Sequence, residues 1–251
     1  MRSGPDVALT ILHLNDLHGG FGPERAAVVQ ALRDENPAGT LVVDCGDAIR
    51  AGNLAIPLRP EAVWADLAAA GVEVGTLGNR ESHVMESVFR RKLEGASHAL
   101  LVANLFHRDG SRPLPDRLIL ERAGLRIGLV GAMVPMVTER MATAAASAYR
   151  WTPPIPAIAA VAQELRSEVD VVIALTHIGH RQDRALAEAV PELDWILGGH
   201  SHTVLAHPER VGRVWIAQTG SHGRFVGRYR WSPSEGLLEA ELVPLPAPRK
   251  P

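Results

Sequence analysis

The chain has 251 residues, of which 46% are hydrophobic, and its formal net charge is −2. This composition is that of a folded chain with a sizeable core, and it argues against a general nucleic-acid binder, which needs a basic surface. No apolar run approaches the ~20 residues of a membrane span, so we expect neither nucleic acid nor membrane as a partner. The single cysteine, Cys45, excludes an intrachain disulfide. The N-terminal residues show no clear export signal, so the default prediction is a cytoplasmic location.

The first half of the chain alternates between strand and helix patterns. Runs of β-branched residues predict strands at 7–15, 40–46, 72–79 and 98–105, and amphipathic spacing predicts helices at 23–36, 59–71 and 83–96. Pro23 lies near the start of the first helix, and Gly71 closes the second. The basic run 90–92 lies on the third helix, where we expect a solvated face.

The second half continues this alternation and then changes character. We predict a hairpin at 116–133 that turns at Ala123-Gly124, an irregular segment at 135–153, helices at 156–169 and 184–193, and strands at 170–177 and 194–199. The segments 213–220, 224–232 and 236–245 alternate like antiparallel strands. The chain is therefore predicted to be one α/β domain over 1–251, with its core at about 7–245. Its largely parallel sheet is buried beneath helices, and a β meander ends the domain.

Five predicted strands end in side chains that can bind a metal, mostly beside glycine. Such a residue at a single strand end is ordinary, and most are turn residues or hydrogen-bonded histidines. Ligands of α/β folds, however, bind beyond the carboxyl ends of the strands, so residues at successive strand ends converge. In chain order the candidates are Asp16, His18, Asp47, Asn79, His177, His200 and His202.

The chemistry of these side chains narrows the choice of metal. The set contains carboxylates, imidazoles and one amide but no thiolate, which suits Mn, Zn, Fe or Ni better than a structural zinc site. Two aspartates, one asparagine and four histidines are more ligands than one ion needs. The count fits two divalent metal ions that share a carboxylate.

The phrases "ILHLNDLHGGF", "GNRE", "LTHIGHRQD", "LDWILGGHSHT" and "IAQTGSHGRFVGRY" resemble the calcineurin-like metallophosphoesterase family, and within it the N-terminal domain of the 5′-nucleotidase branch. The resemblance covers about residues 9–232. It implies a four-layer α/β/β/α sandwich around two metal ions. It also implies one ion on Asp16, His18 and His202, another on Asn79, His177 and His200, and a bridge at Asp47.

The implied reaction is hydrolysis of a phosphate ester by a hydroxide that bridges the two ions, with Asn79 and Arg80 in catalytic roles. The expected substrate is small and phosphorylated, such as a nucleotide. Two alternatives stay open at this point. The thiosulfohydrolases of bacterial sulfur oxidation belong to the same branch, and a catalytically weak domain that binds metal or nucleotide would carry the same ligands.

Two departures from the family pattern affect the substrate. Arg80 stands where the family usually has histidine, and Glu81-Ser82-His83 follows it. The resemblance also stops before the C-terminal domain that gives nucleotidases their specificity, so we expect that domain to be absent. His180 and His222 are the further histidines with the best claim to line the cleft beside Arg80, whereas His83 is expected to be exposed at the start of a helix.

Overall fold

The computed structural model describes residues 8–247. The export-signal prediction rests partly on residues 1–7, which lie outside this range. The helices are α1 (Pro23–Asp34), α2 (Val63–Ala70), α3 (Glu86–Lys92), α4 (Pro154–Arg166) and α5 (His180–Ala189), with a short 3-10 helix at Ala142–Ala146. The strands are β1 (Leu9–Leu14), β2 (Thr40–Asp44), β3 (Val74–Thr76), β4 (Ala99–Leu101), β5 (Leu105–His107), β6 (Arg117–Arg122), β7 (Leu125–Met133), β8 (Tyr149–Trp151), β9 (Val171–His177), β10 (Trp195–Leu197), β11 (Glu209–Val211), β12 (Val214–Ala217), β13 (Phe225–Ser232) and β14 (Gly236–Pro244).

Two six-stranded sheets carry most of the strands. The first has the order β14-β13-β1-β2-β3-β4, and the second has the order β11-β12-β10-β9-β7-β6. The strands β1 to β4 are parallel, as are β7, β9, β10 and β12. Antiparallel strands flank these parallel sets, since β13 pairs with β1, β6 with β7 and β11 with β12. Each sheet therefore presents several parallel strand ends at one edge.

Apolar side chains between the two sheets form the central core. Residues such as Ile11 and Val43 of the first sheet pack in one buried cluster with Ile127 and Ile173 of the second. The outer face of the first sheet is covered by α1 and α2, and that of the second by α4 and α5. Burial of each such side chain stabilises the fold by about 1.5–3 kcal/mol. The predicted four-layer α/β/β/α sandwich is confirmed.

The predicted β meander at the end of the domain is wrong. The strand β12 pairs parallel with β10 in the second sheet, whereas β13 and β14 form a hairpin in the first. The chain thus crosses from one sheet to the other between 217 and 225. Alternating polarity is the same for a half-buried strand in either sheet, so the pattern did not distinguish the two pairings.

The irregular segment at 135–153 and the basic face of α3 also differ from expectation. The segment contains the 3-10 helix and β8, which pairs with β5 in a separate two-stranded sheet. On α3, Arg90 is exposed, but the Lys92 side chain is fully buried. Its ammonium donates hydrogen bonds to four backbone carbonyls, those of Gly52, Asn53, Arg80 and Ser82. Among residues 8–247, no helix is both long and apolar enough to cross a membrane.

Candidate metal centre

The seven predicted ligands, here called the metal centre, meet at one edge of the sandwich. The first sheet supplies them from loops after β1, β2 and β3, and the second sheet from the end of β9 and the loop after β10. The loops approach each other very closely. Gly46 has a φ of +84°, and a Cβ atom there would lie 2.4 Å from the backbone nitrogen of Gly78. Glycine at 46 therefore lets the Asp47 loop lie against the Asn79 loop.

One ligand group, here called the first group, comprises Asp16, His18 and His202. The Nε2 atoms of the two histidines are 2.9 Å apart, and Asp16 Oδ1 lies 3.2 Å from His202 Nε2 and 3.7 Å from His18 Nε2. Donor atoms around an ion at ~2.1 Å lie roughly 3.0–3.4 Å from one another. The three side chains are thus spaced to bind one ion.

A second group comprises Asn79, His177 and His200. The amide oxygen of Asn79 lies 3.2 Å from His177 Nε2 and 2.9 Å from His200 Nδ1. The His177 Nδ1 atom is hydrogen-bonded at 2.8 Å to the carbonyl of Cys45, which turns Nε2 towards Asn79. A carbonyl partner of this kind orients a metal-binding histidine and fixes its tautomer.

Asp47 lies between the two groups. Its Oδ2 atom is 3.9 Å from His18 Nδ1, and its Oδ1 atom is 3.6 Å from His177 Nε2. The Asp47 side chain is 4% exposed, so water does not compete strongly for its oxygens. The carboxylate therefore lies beside both groups, but it faces His18 at Nδ1, whereas His18 Nε2 faces His202.

The residues present fit metal ions by two further tests. Asp16 Oδ1 is buried and has no hydrogen-bond partner within the described part of the protein, which is costly unless a cation occupies the position it faces. Burial lowers the pKa of His18 to about 4, with a further contribution from Arg80, and burial also lowers the pKa of His200. Both rings are therefore held in the neutral form that binds metals.

Backbone strain is concentrated at this edge. Of the seven non-glycine residues with positive φ between 8 and 247, five are predicted ligands, namely Asp16, His18, Asp47, His200 and His202, and a sixth, His222, borders them from the loop after β12. Such conformations cost about 1–3 kcal/mol each and persist where surrounding structure imposes them. Backbone hydrogen bonds from Asp16 to Gly46 and from His18 to Asp47 impose them here.

Two buried residues support the ligands and were not predicted as site residues. The Asn15 amide donates to Asp16 Oδ2 at 2.7 Å and to the Gly220 carbonyl, so it orients the Asp16 carboxylate. Glu81 accepts hydrogen bonds from the backbone nitrogens of Asp47 and Gly78, among others. Burial, followed by the nearby Asp47 charge, raises the pKa of Glu81. Each of the two lies next to a predicted site residue, which is the only signal that the sequence offered.

Arg80 lies beside the metal centre but does not join it. Its backbone nitrogen donates to Asp47 Oδ1 at 2.7 Å, its Nη1 donates to the Arg50 carbonyl, and its Nε lies 3.7 Å from Asp47 Oδ2. The guanidinium is 30% exposed and so accessible to a ligand. Its ion pair is with Asp47, whereas Glu81 is occupied by backbone donors.

The remaining predicted histidines fall in different places. The His222 ring lies 4.9 Å from that of His18, so it borders the first group. His180 instead pairs with Glu209 at 2.8 Å. His83 is buried rather than exposed, which corrects the prediction, and its Nδ1 accepts a hydrogen bond from the Met85 backbone nitrogen. The structure therefore brings His222 to the ligands and engages His180 and His83 elsewhere.

Beneath the loop that carries His200 and His202 lies a buried polar network. The Asp183 carboxylate accepts hydrogen bonds from the Thr176 hydroxyl at 2.7 Å and from the Gln218 amide at 2.8 Å. Gln218 in turn accepts a hydrogen bond from the Ser201 hydroxyl. Burial raises the pKa of Asp183 to about 7. The network links the end of β9 to the loop after β10.

The sequence of this chain is similar to those of known phosphoesterases. A family model described as calcineurin-like phosphoesterase matches residues 9–204. The chain is 28% identical to the uncharacterized metallophosphoesterase YunD of Bacillus subtilis over 87% of this chain and 49% of that protein. It is 27% identical to a 5′-nucleotidase of Vibrio cholerae over 96% of this chain and 52% of that protein. The chain spans about half the length of these curated relatives.

A solved structure confirms the fold. The sulfate thiohydrolase SoxB of Thermus thermophilus superposes with a TM-score of 0.80 at 20% identity, over 99% of this chain and 58% of that one. Likeness at this identity concerns the architecture alone.

Proposed function

The chain belongs to the calcineurin-like phosphoesterase family, and from this premise we propose that it hydrolyses phosphate esters with two divalent metal ions. The observation that carries the proposal is the convergence of two three-residue ligand groups on either side of Asp47. Each group contains donor atoms about 3 Å apart, and the Asp47 carboxylate reaches both. The carboxylate, imidazole and amide donors suit Mn, Zn, Fe or Ni.

When bound, such ions would neutralise the charge of an anionic ester and lower the pKa of water. The protein supplies the geometry. Asp47 lies between the two groups. Its backbone nitrogen donates a hydrogen bond to Glu81, and its carboxylate accepts one from the Arg80 backbone nitrogen, so its position is fixed. The Asn79 amide is fixed by a 2.9 Å hydrogen bond to Asn53, so its oxygen faces the second group.

Arg80 and His222 are the proposed substrate contacts. The Arg80 guanidinium can donate two hydrogen bonds to phosphoryl oxygens, but it keeps its proton and so cannot serve as an acid for the leaving group. His222 borders the first group, and burial lowers its pKa, so at pH 7 its neutral ring can accept or donate a hydrogen bond. His180 is proposed as a more distant contact, since Glu209 occupies its Nε2 atom.

The relatives indicate which class of substrate to assay first. Sequence likeness to 5′-nucleotidases supports a nucleotide-type phosphate ester as the first class to assay. We therefore propose that the protein acts on small phosphorylated compounds, nucleotides among them.

The test is a turnover screen on metal-free protein reloaded separately with Mn, Zn, Ni or Fe(II). The substrates are 4-nitrophenyl phosphate, nucleoside monophosphates and a thiosulfate ester, and two ions per chain are expected in the active form. Asp47→Ala should lower phosphate-ester turnover by about a thousandfold with the fold retained. The matched control is Asp34→Ala, whose carboxylate is half-exposed on α1. Turnover of the thiosulfate ester alone, or metal binding without any turnover, would overturn the proposal.

A further inference from the structure

The loop between β2 and α2 exposes three large apolar side chains. Leu54, Ile56 and Leu58 have 85%, 55% and 89% of their surface in contact with solvent. The other exposed large hydrophobic residues in the described part of the chain are Met85, Met141 and Val204, and each has 46% or less of its surface exposed. Single exposed apolar residues are ordinary, but three within five residues of one loop are typical of a binding surface. We call Leu54, Ile56 and Leu58 the apolar ridge.

The backbone of the apolar ridge is held firmly although its side chains are free. The buried Lys92 ammonium binds the carbonyls of Gly52 and Asn53 at 3.0 Å each. Arg91 donates to the carbonyls of Pro57 and Leu58 from the other side. A loop fixed at both ends through its backbone presents its apolar side chains without a backbone ordering cost on binding.

The apolar ridge begins at the metal centre. Asn53, which precedes Leu54, accepts a hydrogen bond from the amide of Asn79, a ligand of the second group. Arg50 packs against Gly19, which follows His18 of the first group, so closely that a Cβ at Gly19 would lie 2.7 Å from the Cβ of Arg50. The start of the loop therefore contacts the loops that carry both ligand groups.

The exposed side chains of this loop change from charged to apolar, which complements an amphiphilic ligand. At the metal-centre end, the Arg80 guanidinium and the proposed metal ions suit a phosphate, and the exposed Arg50 adds a positive charge there. Beyond Asn53 the exposed side chains become apolar. The residues from Leu54 to Leu58 extend over at most ~14 Å, the length of a medium alkyl chain or a substituted aromatic ring.

We propose that the apolar ridge binds the apolar part of the leaving group, so that the preferred substrates are phosphate monoesters of amphiphilic alcohols or phenols. This inference rests on the proposed phosphoesterase function and names its substrate class. The phosphate lies at the metal centre, and the apolar portion lies along Leu54, Ile56 and Leu58. Selectivity arises because apolar surface leaves water when the ester binds.

The test uses 4-alkylphenyl phosphates from methyl to octyl, which differ in apolar length but very little in leaving-group pKa. For the wild-type holoenzyme, kcat/KM should rise about twofold per methylene until the alkyl chain passes Leu58. Twofold is half the effect, on a free-energy scale, of the ~0.8 kcal/mol gained when a methylene is fully buried. The combined variant Leu54→Ser, Ile56→Ser, Leu58→Ser should lose this rise and retain the rate for the methyl compound within about twofold.

Met141→Ser, which removes an exposed apolar side chain outside the ridge, is the matched control and should keep the wild-type rise. A flat length dependence in wild type, or a rise retained by the triple variant, overturns the inference. Sedimentation with anionic lipid vesicles and measurement of oligomeric state identify other occupants. If the ridge mediates either interaction while the length dependence is flat, a membrane or a second copy is the ligand instead. Absence of turnover for every aryl phosphate would reject the phosphoesterase function itself, which is a separate result.

Discussion

The two ligand groups of the metal centre differ in how firmly the protein holds them. In the second group, His177 is fully buried and bonded to the Cys45 carbonyl, and Asn79 is bonded to Asn53, so within residues 8–247 only the exposed His200 lacks a partner for its side chain outside the group. In the first group, the His202 side chain is 42% exposed, and His18 Nδ1 has no hydrogen-bond partner in the described structure. Only Asp16 of this group is firmly fixed, by Asn15 and by the His200 backbone nitrogen.

From this difference we predict that the two ligand groups have unequal affinity for metal. A ligand that is already oriented loses little conformational freedom on binding, whereas an exposed side chain must be ordered by the ion. We therefore expect the second group to fill first and to release its ion last. We expect the first group to be the position at which metal availability controls activity.

The largest expected effect distinguishes the two groups directly. His177→Ala removes the best-oriented ligand and should lower turnover by about a thousandfold or more, whereas His202→Ala should lower it by about a hundredfold. Metal analysis after gel filtration should find one ion per chain retained by His202→Ala. Loss of both ions from both variants would show that the groups bind as one unit and that the comparison is wrong.

A matched pair of supporting residues gives the next effect. Asn15→Ala should weaken the ion of the first group by about 10- to 100-fold, because Asp16 loses the donor that orients it. Asn53→Ala is the counterpart for the second group, since it frees the Asn79 amide. Chelator competition titrations measure each step separately. The assignment fails if either variant weakens the two ions equally.

The network below the His200 loop gives a pH-dependent effect on stability. The pKa of Asp183 is raised by burial to about 7, above its unfolded value of ~3.9. The folded state therefore holds a proton that the unfolded state releases, and stability falls as pH rises from about 4 to 7. Relative to Asp183→Asn, the metal-free wild type should lose about 1 kcal/mol of unfolding free energy per pH unit between pH 5 and 7. The unfolding free energies come from urea titrations at these pH values. The same pH dependence in wild type and Asp183→Asn would contradict the assignment.

The smallest effect concerns the leaving group. Arg80 cannot give up a proton, so Arg80→His should improve turnover of alkyl monoesters relative to aryl esters by less than about tenfold. The measurement is the dependence of rate on leaving-group pKa for both proteins, with equal metal loading. Matching slopes would assign Arg80 to binding, and its contact with Asp47 would then be the reason for any loss of rate.

The sequence predicted that these side chains converge, because they are tied to strand ends. Asp16, Asp47 and His177 each follow or end a buried strand, and parallel strands deliver their carboxyl ends to one edge. The second sheet was harder to predict, because nothing in the alternation of "RVWIAQTG" distinguishes the parallel partner β10 from an antiparallel neighbour. Pairing partners are decided by tertiary packing, which a single segment does not contain.

The burial of two charged side chains was also not predicted from the sequence. Lys92 lies in a basic run whose composition is that of a surface, yet its ammonium binds four carbonyls from two loops. Glu81 likewise binds backbone nitrogens. These partners lie in irregular segments, and sequence periodicity does not predict the path of such segments. The burial of the two side chains could therefore not be predicted from the residues next to them in sequence.

The pairing of β1 with β13 has a consequence for how the protein is made. Asn15 binds the carbonyl of Gly220, 205 positions away, and β1 lies between β2 and β13 in its sheet. During synthesis, β1 leaves the ribosome long before β13 exists, and its antiparallel edge stays open in the meantime. Contacts of such long sequence separation form slowly, and an open strand edge invites aggregation. His200 and His202, two of the proposed ligands, also emerge late, so neither ligand group is complete until most of the second sheet has been synthesised.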